Sequence, residues 1–291
     1  MLRYVLVTPA RNEEETLPAT ISAVAAQTIL PVKWVIVSDG STDRTDEIGR
    51  AAALQFGFIE FISASGSGQR SFGSKVKAIE AGLGRLSGYA YDLIGNLDAD
   101  VTFAPDYFEA LVSRMAATPS IGIAGGWIFE KIDASFVPQN NSASSVAGAV
   151  QMFRRECFEQ IGGYLPLPSG GIDAAAEILA RMHGWAVRSY EDLRVLHHRE
   201  VSRGRGSLLR ERFRQGGTHY ALGYSPVFQL LRGVLRLRDR PYVVGSACTL
   251  GGYVWAICSG KPHVLPDDAV AFLRKEQMGR LRETVRRLAK R

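Results

Sequence analysis

Trp34-Val35-Ile36-Val37-Ser38-Asp39-Gly40-Ser41-Thr42-Asp43 joins an apolar, β-branched run to a polar, acidic turn. The run reads as a strand, and Asp43 to Phe56 after it reads as a helix. The same unit recurs on either side. Tyr4 to Thr8 is a short apolar strand, followed by a helix from Glu13 to Thr28 with Leu17, Ile21, Val24 and Ala25 on one face. Phe58 to Ile62 is a third strand and Ser74 to Leu86 a third helix, and Tyr91 to Leu97 is a fourth strand. Strand and helix in alternation predict an α/β fold whose central sheet is mainly parallel, with helices flanking it. Ligands of such folds gather beyond the carboxyl ends of the strands.

Those ends are polar and acidic. Pro9-Ala10-Arg11-Asn12-Glu13 follows the first strand, Asp39-Gly40-Ser41-Thr42-Asp43 the second, and Asp98-Ala99-Asp100 the fourth. Asp and Asn are common turn formers. Three such clusters at three strand ends nevertheless converge on one crevice, and the functional reading is favoured. Two aspartates one residue apart, on a turn leaving an apolar strand, suit a hard divalent cation such as Mn²⁺ or Mg²⁺, whose shell substrate phosphates often complete.

Beyond Ala104 the pattern changes. Pro105 to Ala117 reads as a helix and Ile121 to Phe129 as a strand, with Glu130 to Ser145 loop-like. Glu156 to Ile161 is a short helix, Ala174 to His183 a longer one, and Val187 to Tyr190 and Arg194 to Leu196 are short strands. Gly204 to Gly206, in an arginine-rich run, is the expected hinge. Residues 1–203 then form the α/β domain and 204–291 a helical, basic appendage.

The chain has 291 residues, 46% of them hydrophobic and 22% charged, which suits a soluble globular protein. The three cysteines, Cys157, Cys248 and Cys258, have no metal-binding spacing. An odd, sparse set predicts a reducing compartment and buried, inert thiols. No signal peptide is read at Met1 to Thr8, and no stretch supplies the roughly 20 clean apolar residues of a spanning helix. The net charge is +6, and Ala269 to Arg291 alone, with eight bases against two acids, equals that excess. Arg194 to Arg214 adds seven arginines against two glutamates. A basic C-terminal third on a near-neutral to acidic body points to an anionic surface or an anionic leaving group. No nucleic-acid partner is expected.

Thr8 to Glu14, Val37 to Asp43 and Asn96 to Asp100 together resemble the three signature blocks of family 2 glycosyltransferases, in order and spacing, over residues 1 to about 200. Gly162-Gly163-Tyr164, Gly170-Gly171-Ile172-Asp173 and His197-His198 extend the likeness. The resemblance implies the GT-A fold, an inverting transfer from a nucleotide-diphosphate sugar, and a divalent metal. It implies that Pro9, Arg11, Glu13 and Asp39 meet the nucleotide, with Asp39 near the base. Asp98 is implied near the ribose and metal, and Asp100 as the main metal ligand. His197 or His198 is implied to complete the metal shell or meet the diphosphate. Asp173 stands where the family places its catalytic base. The acid that usually precedes it is replaced by Ile172, so the resemblance implies loss of that acid's acceptor contact and retention of the base. The competing reading of Asp173 is a helix N-cap. The chemistry agrees with these roles, since a metal and cations stabilise a departing diphosphate and a carboxylate deprotonates an attacking hydroxyl.

Ser65 to Lys75 is glycine-rich and precedes a helix, but its spacing is neither a Walker loop nor a dinucleotide fingerprint. Arg70 and Lys75 are its candidate diphosphate contacts, and a plain flexible loop is the equal alternative. Trp127 precedes the segment expected to shape the acceptor pocket. His183 and His219 read as structural or surface residues. In Ala269 to Arg291 the apolar residues Val270, Leu273, Met278, Leu281, Val285 and Leu288 recur at helical spacing among bases. Such a helix either lies on an anionic membrane or packs on its own domain. The apolar, basic stretch Pro226 to Leu237 and the glycine-rich apolar stretch Tyr242 to Cys258 favour the membrane. The tail also resembles that of bacterial surface-polysaccharide transferases acting on lipid-linked acceptors, which implies a peripheral place on the cytoplasmic face of the cell membrane. Two other readings are weaker. A sugar-phosphate nucleotidyltransferase carries a glycine-rich basic loop after its first strand, where this chain has Pro9 to Glu13. A non-catalytic binding or scaffold protein on the same fold is supported only by Ile172.

Overall fold

The computed structural model describes residues 2–64, 72–132, 135–139, 141–167, 170–199, 205–236 and 242–288. The chain forms two compact units, Met1–Pro168 with Ile172–Val201, and Ser169–Gly171 with Ser202–Arg291.

The first unit begins with β1 (Tyr4–Ala10), α1 (Leu17–Ala25), β2 (Lys33–Asp39), α2 (Thr45–Gln55), β3 (Ile59–Ala64), α3 (Phe72–Gly84) and β4 (Leu93–Leu97). It continues with β5 (Val101–Phe103), α4 (Tyr107–Ala117), β6 (Ile121–Ile132), β7 (Ser135–Pro138), β8 (Val150–Arg154), α5 (Arg155–Gln160), α6 (Ile172–Met182) and β9 (Ala186–His197). The sheet runs β3-β2-β1-β4-β8-β6-β9-β5, with β7 paired to β6. β1 pairs in parallel with β2 and β4, β2 with β3, and β6 with β9. β8 is antiparallel to both β4 and β6, β5 to β9, and β7 to β6. Six strands therefore share one direction, and β5, β7 and β8 oppose it.

The local causes are visible in the burial. All five residues of β4 are buried, as are six of the seven in β1, which is what helices on both sheet faces require. Trp34 is fully buried, and its indole N–H donates to Thr8 Oγ1 at 2.9 Å. Tyr4 stacks on Phe108 of α4 with ring centres 4.9 Å apart. α1 starts at Leu17 rather than the expected Glu13. Pro18 occupies its first turn, the position that tolerates a missing N–H, and Glu13 N is bonded to Thr45 Oγ1 instead. The expected loop from Glu130 is a hairpin of β6 and β7, and Val150–Arg154, which showed no local signal, enters the sheet between β4 and β6.

In the second unit, the described helices are α7 (Arg205–Ala221), α8 (Pro226–Leu235), α9 (Tyr242–Cys258) and α10 (Asp267–Leu288). α7 and α9 meet through glycine. A Cβ on Gly216 would fall 1.9 Å from Thr249 O, and one on Gly252 would fall 1.9 Å from Phe213 O, so only hydrogen fits between the two backbones. α8 is turned inside out. Val227, Leu230, Leu231 and Val234, at i, i+3, i+4 and i+7, are exposed, whereas Gln229 is buried and Arg232 and Gly233 are half-buried on the opposite side. α9 has no charged residue, and its Val243, Val244, Val254, Trp255 and Ile257 are exposed while Gly245 and Gly252 face inward. The first half of α10 behaves oppositely. Val270 and Leu273 are buried, Gln277 Oε1 accepts from Ser225 N at 2.9 Å, and Arg274 Nε donates to Gly223 O at 3.0 Å. The apolar face expected to seek a membrane is, there, packed on its own unit. Among the described residues no helix is long and apolar enough to cross a membrane. The expectation of three buried thiols holds for Cys157 alone; Cys248 is half-buried and Cys258 exposed, because α9 turns that flank outward.

Candidate active site

The turns after β1 and β2 are laced into one body. Asn12 sits in the left-handed region at φ 53°, a conformation asparagine tolerates. From there its Oδ1 accepts from Thr42 N at 2.8 Å, and its own N–H donates to Ser41 Oγ at 3.2 Å. Gly40 at φ 66° makes the turn that brings Ser41 and Thr42 there. Asp43 accepts from Glu14 N at 3.0 Å through one oxygen and from Thr45 N at 3.0 Å through the other. Arg11 Nη1 stands 3.8 Å from Asp39 Oδ2. Pro9 lies in β1, paired in register with Val37.

The acids after β4 lie among cations. Lys75 Nζ donates to Asp98 Oδ1 at 2.6 Å. Asp100 is buried, with His197 Nε2 3.2 Å and Arg199 Nε 3.1 Å from its Oδ2. Arg199 also pairs with the buried Glu13. Burial pushes the Asp98 carboxyl up despite Lys75, and the neighbouring charge of Asp100 adds to the rise. Burial works in the same sense on Asp100, but the hydrogen bond and charge of His197, with Arg199 and Lys75, outweigh it and hold that carboxyl below its usual range. Reciprocally, burial would lower His197, and the Asp100 contact outweighs it, so the imidazole is raised.

The donors fit a hard divalent cation. The second oxygen of Asp100, Oδ1, is buried and has no hydrogen-bond partner. An unpartnered buried carboxylate oxygen is costly unless something positive meets it. Carboxylate oxygens are the ligand type that Mn²⁺ and Mg²⁺ prefer. Among the described residues no three His, Cys, Asp or Glu side chains converge to hold a metal by themselves, the situation in which substrate phosphates complete the shell. The structure brings the His197 imidazole to the Asp100 carboxylate, whereas His198 meets Asp100 only through its backbone N–H, which donates to Asp100 O at 2.8 Å. Consecutive strand residues face opposite ways, and His198 Nε2 instead lies 2.7 Å from Thr102 Oγ1, with its ring edge-on to Phe136. Burial and the charge of Lys131 lower its pKa. Arg70 lies outside the described residues.

Asp173 sits in the first turn of α6, one residue inside the helix and not at its cap. It faces Gly148, where a Cβ would come 3.2 Å from Asp173 Oδ2. Gly148 O accepts from Asn96 Nδ2 of β4 at 2.7 Å, and Ala149 O from Asp98 N at 2.8 Å, so one segment ties the α6 acid to the β4 acids. Burial, then the charges of Asp173, Asp98 and Glu177, raise the phenol of Tyr164 far above its ordinary value, and its O–H donates to Gln151 Oε1 at 2.6 Å. The three acids thus act on one buried group.

Two residues escaped the sequence reading. Arg199, two positions beyond the end of β9, meets the same Asp100 oxygen as His197 and was counted only as part of a basic run. Glu177, one helical turn after Asp173, is buried and accepts from Val146 N at 2.5 Å and Ser145 Oγ at 3.2 Å. Burial pushes its carboxyl up to about 7. A lone acid in the alanine-rich stretch Ala174-Ala175-Ala176-Glu177 was the available signal. Trp127 follows an irregularity in the β6–β9 register, and its indole N–H is buried without an acceptor.

Residues 5–166 match the family described as Glycosyl transferase family 2. The glucosyl-dolichyl phosphate glucuronosyltransferase of Haloferax volcanii is 25% identical over 183 residues, which are 55% of this chain and 54% of the relative. An undecaprenyl-phosphate 4-deoxy-4-formamido-L-arabinose transferase of Serratia proteamaculans is 28% identical over 268 residues, 87% of this chain and 74% of the relative. The chain thus spans about half the length of the first relative and more of the second. Among solved structures, a mannosyltransferase of Pyrobaculum calidifontis in complex with GDP-Man and Mn²⁺ superposes with a TM-score of 0.61 at 16% identity, covering 89% of this chain and 88% of that one. S. aureus TarS 1–349 in complex with UDP-GlcNAc gives 0.56 at 13% identity, covering 89% and 73%. These likenesses establish the GT-A fold.

Proposed function

This chain belongs to glycosyl transferase family 2, and from that membership we propose that it is an inverting glycosyltransferase that moves a sugar from a nucleotide-diphosphate donor to a lipid-linked acceptor in bacterial polysaccharide synthesis. The observation that carries the reading is the β4 end, where Asp98 and a buried, unpartnered Asp100 oxygen stand beside His197. With the donor's phosphates completing the shell, Asp100, Asp98 and His197 would offer ligands to Mn²⁺ or Mg²⁺, and a bound cation would supply charge stabilisation to the departing diphosphate. Lys75 and Arg199, already seated against these acids, offer further positive charge to the same leaving group. Arg11, Glu13, Asp39 and Pro9 hold the nucleoside on turns that are prefolded against each other. Asp173, given room by Gly148, takes the proton of the attacking hydroxyl at its carboxylate oxygen while the anomeric bond to the diphosphate breaks. One displacement inverts the anomeric centre and needs no enzyme nucleophile.

Residues 1–203 are the transferase domain in this reading, and 204–291 an appendage for a lipid surface on the inner face of the cell membrane. The exposed apolar faces of α8 and α9 support that role, and the named lipid-phosphate substrates of the relatives agree with it. A panel of nucleotide sugars screened by thermal shift with Mn²⁺ tests the core of the proposal. One or a few donors should raise the melting temperature only when Mn²⁺ is present, and a flat panel would sink it.

A further inference from the structure

Glu177 is a buried acid that the transfer step does not use. It follows Asp173 by four residues, with only alanine between, so the two acids stand one turn apart on one face of α6. Both reach the same stretch of chain, residues 145–150, which leads into β8. At its start, Glu177 Oε1 accepts from Val146 N at 2.5 Å and from Ser145 Oγ at 3.2 Å. In its middle, Gly148 leaves room for Asp173, whose Oδ2 would lie 3.2 Å from a Cβ there. Towards its end, Gly148 O accepts from Asn96 Nδ2 at 2.7 Å, and Ala149 O accepts from Asp98 N at 2.8 Å. Gln151 braces it from below: its Nε2 donates to Val146 O at 3.0 Å, and its Oε1 accepts from the Tyr164 hydroxyl at 2.6 Å. Residues 145–150 are thus a strap, fastened to α6 at one end and to β4 at the other, with the Asp173 carboxylate against its middle.

The fastening at Val146 depends on Glu177. Val146 is buried, and it packs so closely on β6 that a Cβ on Gly125 would fall 2.4 Å from Val146 Cγ1. A buried amide N–H needs a partner, and without the Glu177 oxygen it is an orphan donor that the strap must move to satisfy. Both donors meet the same oxygen, so the fastening needs an acceptor and not a charge. Burial pushes the Glu177 carboxyl up to about 7, and Oε1 accepts in either protonation state. The other oxygen, Oε2, lies 3.5 Å from Arg181 Nη1 of the same helix. Because the far end of the strap is bonded to Asn96 and Asp98, movement at Val146 is passed to Gly148 and so to Asp173. A base misplaced by about 1 Å costs about a hundredfold in rate. Resting on the transferase reading above, we infer that Glu177 is a positioning residue for the transfer: through the 145–150 strap it fixes the Asp173 carboxylate relative to Asp98.

The test compares Glu177→Met, which removes the acceptor and keeps the bulk, with Glu177→Gln, which keeps the acceptor oxygen. In sugar transfer by the full chain, the Met variant should lose about thirtyfold in kcat with the donor KM within about twofold, and the Gln variant should come back to within about threefold of wild type. In amide hydrogen exchange, the Met variant should open the N–H groups of Val146 and Asp98 together, each about tenfold faster, while the Gln variant protects both. A role in packing alone would lower the melting temperature and weaken kcat and donor binding alike, with no rescue by Gln. That result overturns the proposal, as does a Val146 that opens while Asp98 and kcat stay unchanged. If the Met variant melts too early to assay, Gly148→Ala presses on Asp173 from the strap side and should give the same kcat loss at an unchanged donor KM; an unchanged kcat there overturns the proposal too. Exchange needs no substrate. A wild type without transfer sinks the transferase reading, whereas the strap stands or falls by the joint exchange of Val146 and Asp98.

Discussion

Two histidines, one in each unit, are held in opposite ways. His197 faces the buried Asp100 and is raised, although burial alone would lower it. His219 is buried among arginines and is lowered to about 3. The residue is the same; the sign is set by what surrounds it. The first unit gathers carboxylates at strand ends and recruits Lys75, His197 and Arg199 to them, an arrangement suited to a cation. The second sets the Arg232 guanidinium 3.2 Å from a buried imidazole on its helix faces, an arrangement that keeps His219 uncharged. The sheet site is built by backbone register, whereas the helical unit is built on the glycine-thin packing of α7 on α9.

The comparison can be broken from either side. Asp173→Asn should cost about a thousandfold or more in transfer while leaving donor affinity within about twofold; equal activity in a sugar-transfer assay would refute the base assignment. Asp100→Ala should lower donor affinity in Mn²⁺ by up to about a hundredfold and abolish its dependence on metal. Calorimetric titrations that agree with and without Mn²⁺, in wild type and variant alike, would remove the metal role. Gly216→Ala forces a methyl into Thr249 O and should destabilise the second unit by about 1–3 kcal/mol. Vesicle flotation should fall while donor binding persists, and loss of both together would contradict the separation of the units.

The smallest effect is a pH dependence. Glu177 titrates near 7 in the folded chain and from a value of 4.5 without the fold. The folded state therefore holds the extra proton between these values. Stability should decline as pH rises from about 4.5 through 7 and level off above, by about 1 kcal/mol between pH 6 and 7. Glu177→Gln keeps an acceptor for Val146 N–H and should flatten that slope in a melting-temperature series. An unchanged slope would show that some other group sets it.

Much of this was legible in the sequence. Apolar runs ending in Asn12-Glu13, Asp39 and Asp98-Ala99-Asp100 mark β1, β2 and β4 because a strand buried on both faces has no other way to be written. The placement of Val150–Arg154 between β4 and β6 was not legible, since its partners lie up to 61 residues away, at Leu93, and no local residue records them. Arg199 and Glu177 were missed for the same reason: their partners, Glu13 and Val146, are distant in sequence. α8 teaches a further limit. Its apolar spacing announces a face, but periodicity is unchanged when that face points outward, so only packing reveals the inversion. For α10 the same ambiguity resolved the other way, at Val270 and Leu273.

The contact between Asn12 and Thr42 has a thermodynamic consequence. Two turns from different strands are locked together before any ligand arrives, and the left-handed backbone of Asn12 is part of the lock. The conformational entropy of ordering those turns is spent during folding, so it is not charged again at each encounter. A nucleotide docking there should associate without a slow isomerisation step, and its affinity should be governed by how fast it leaves.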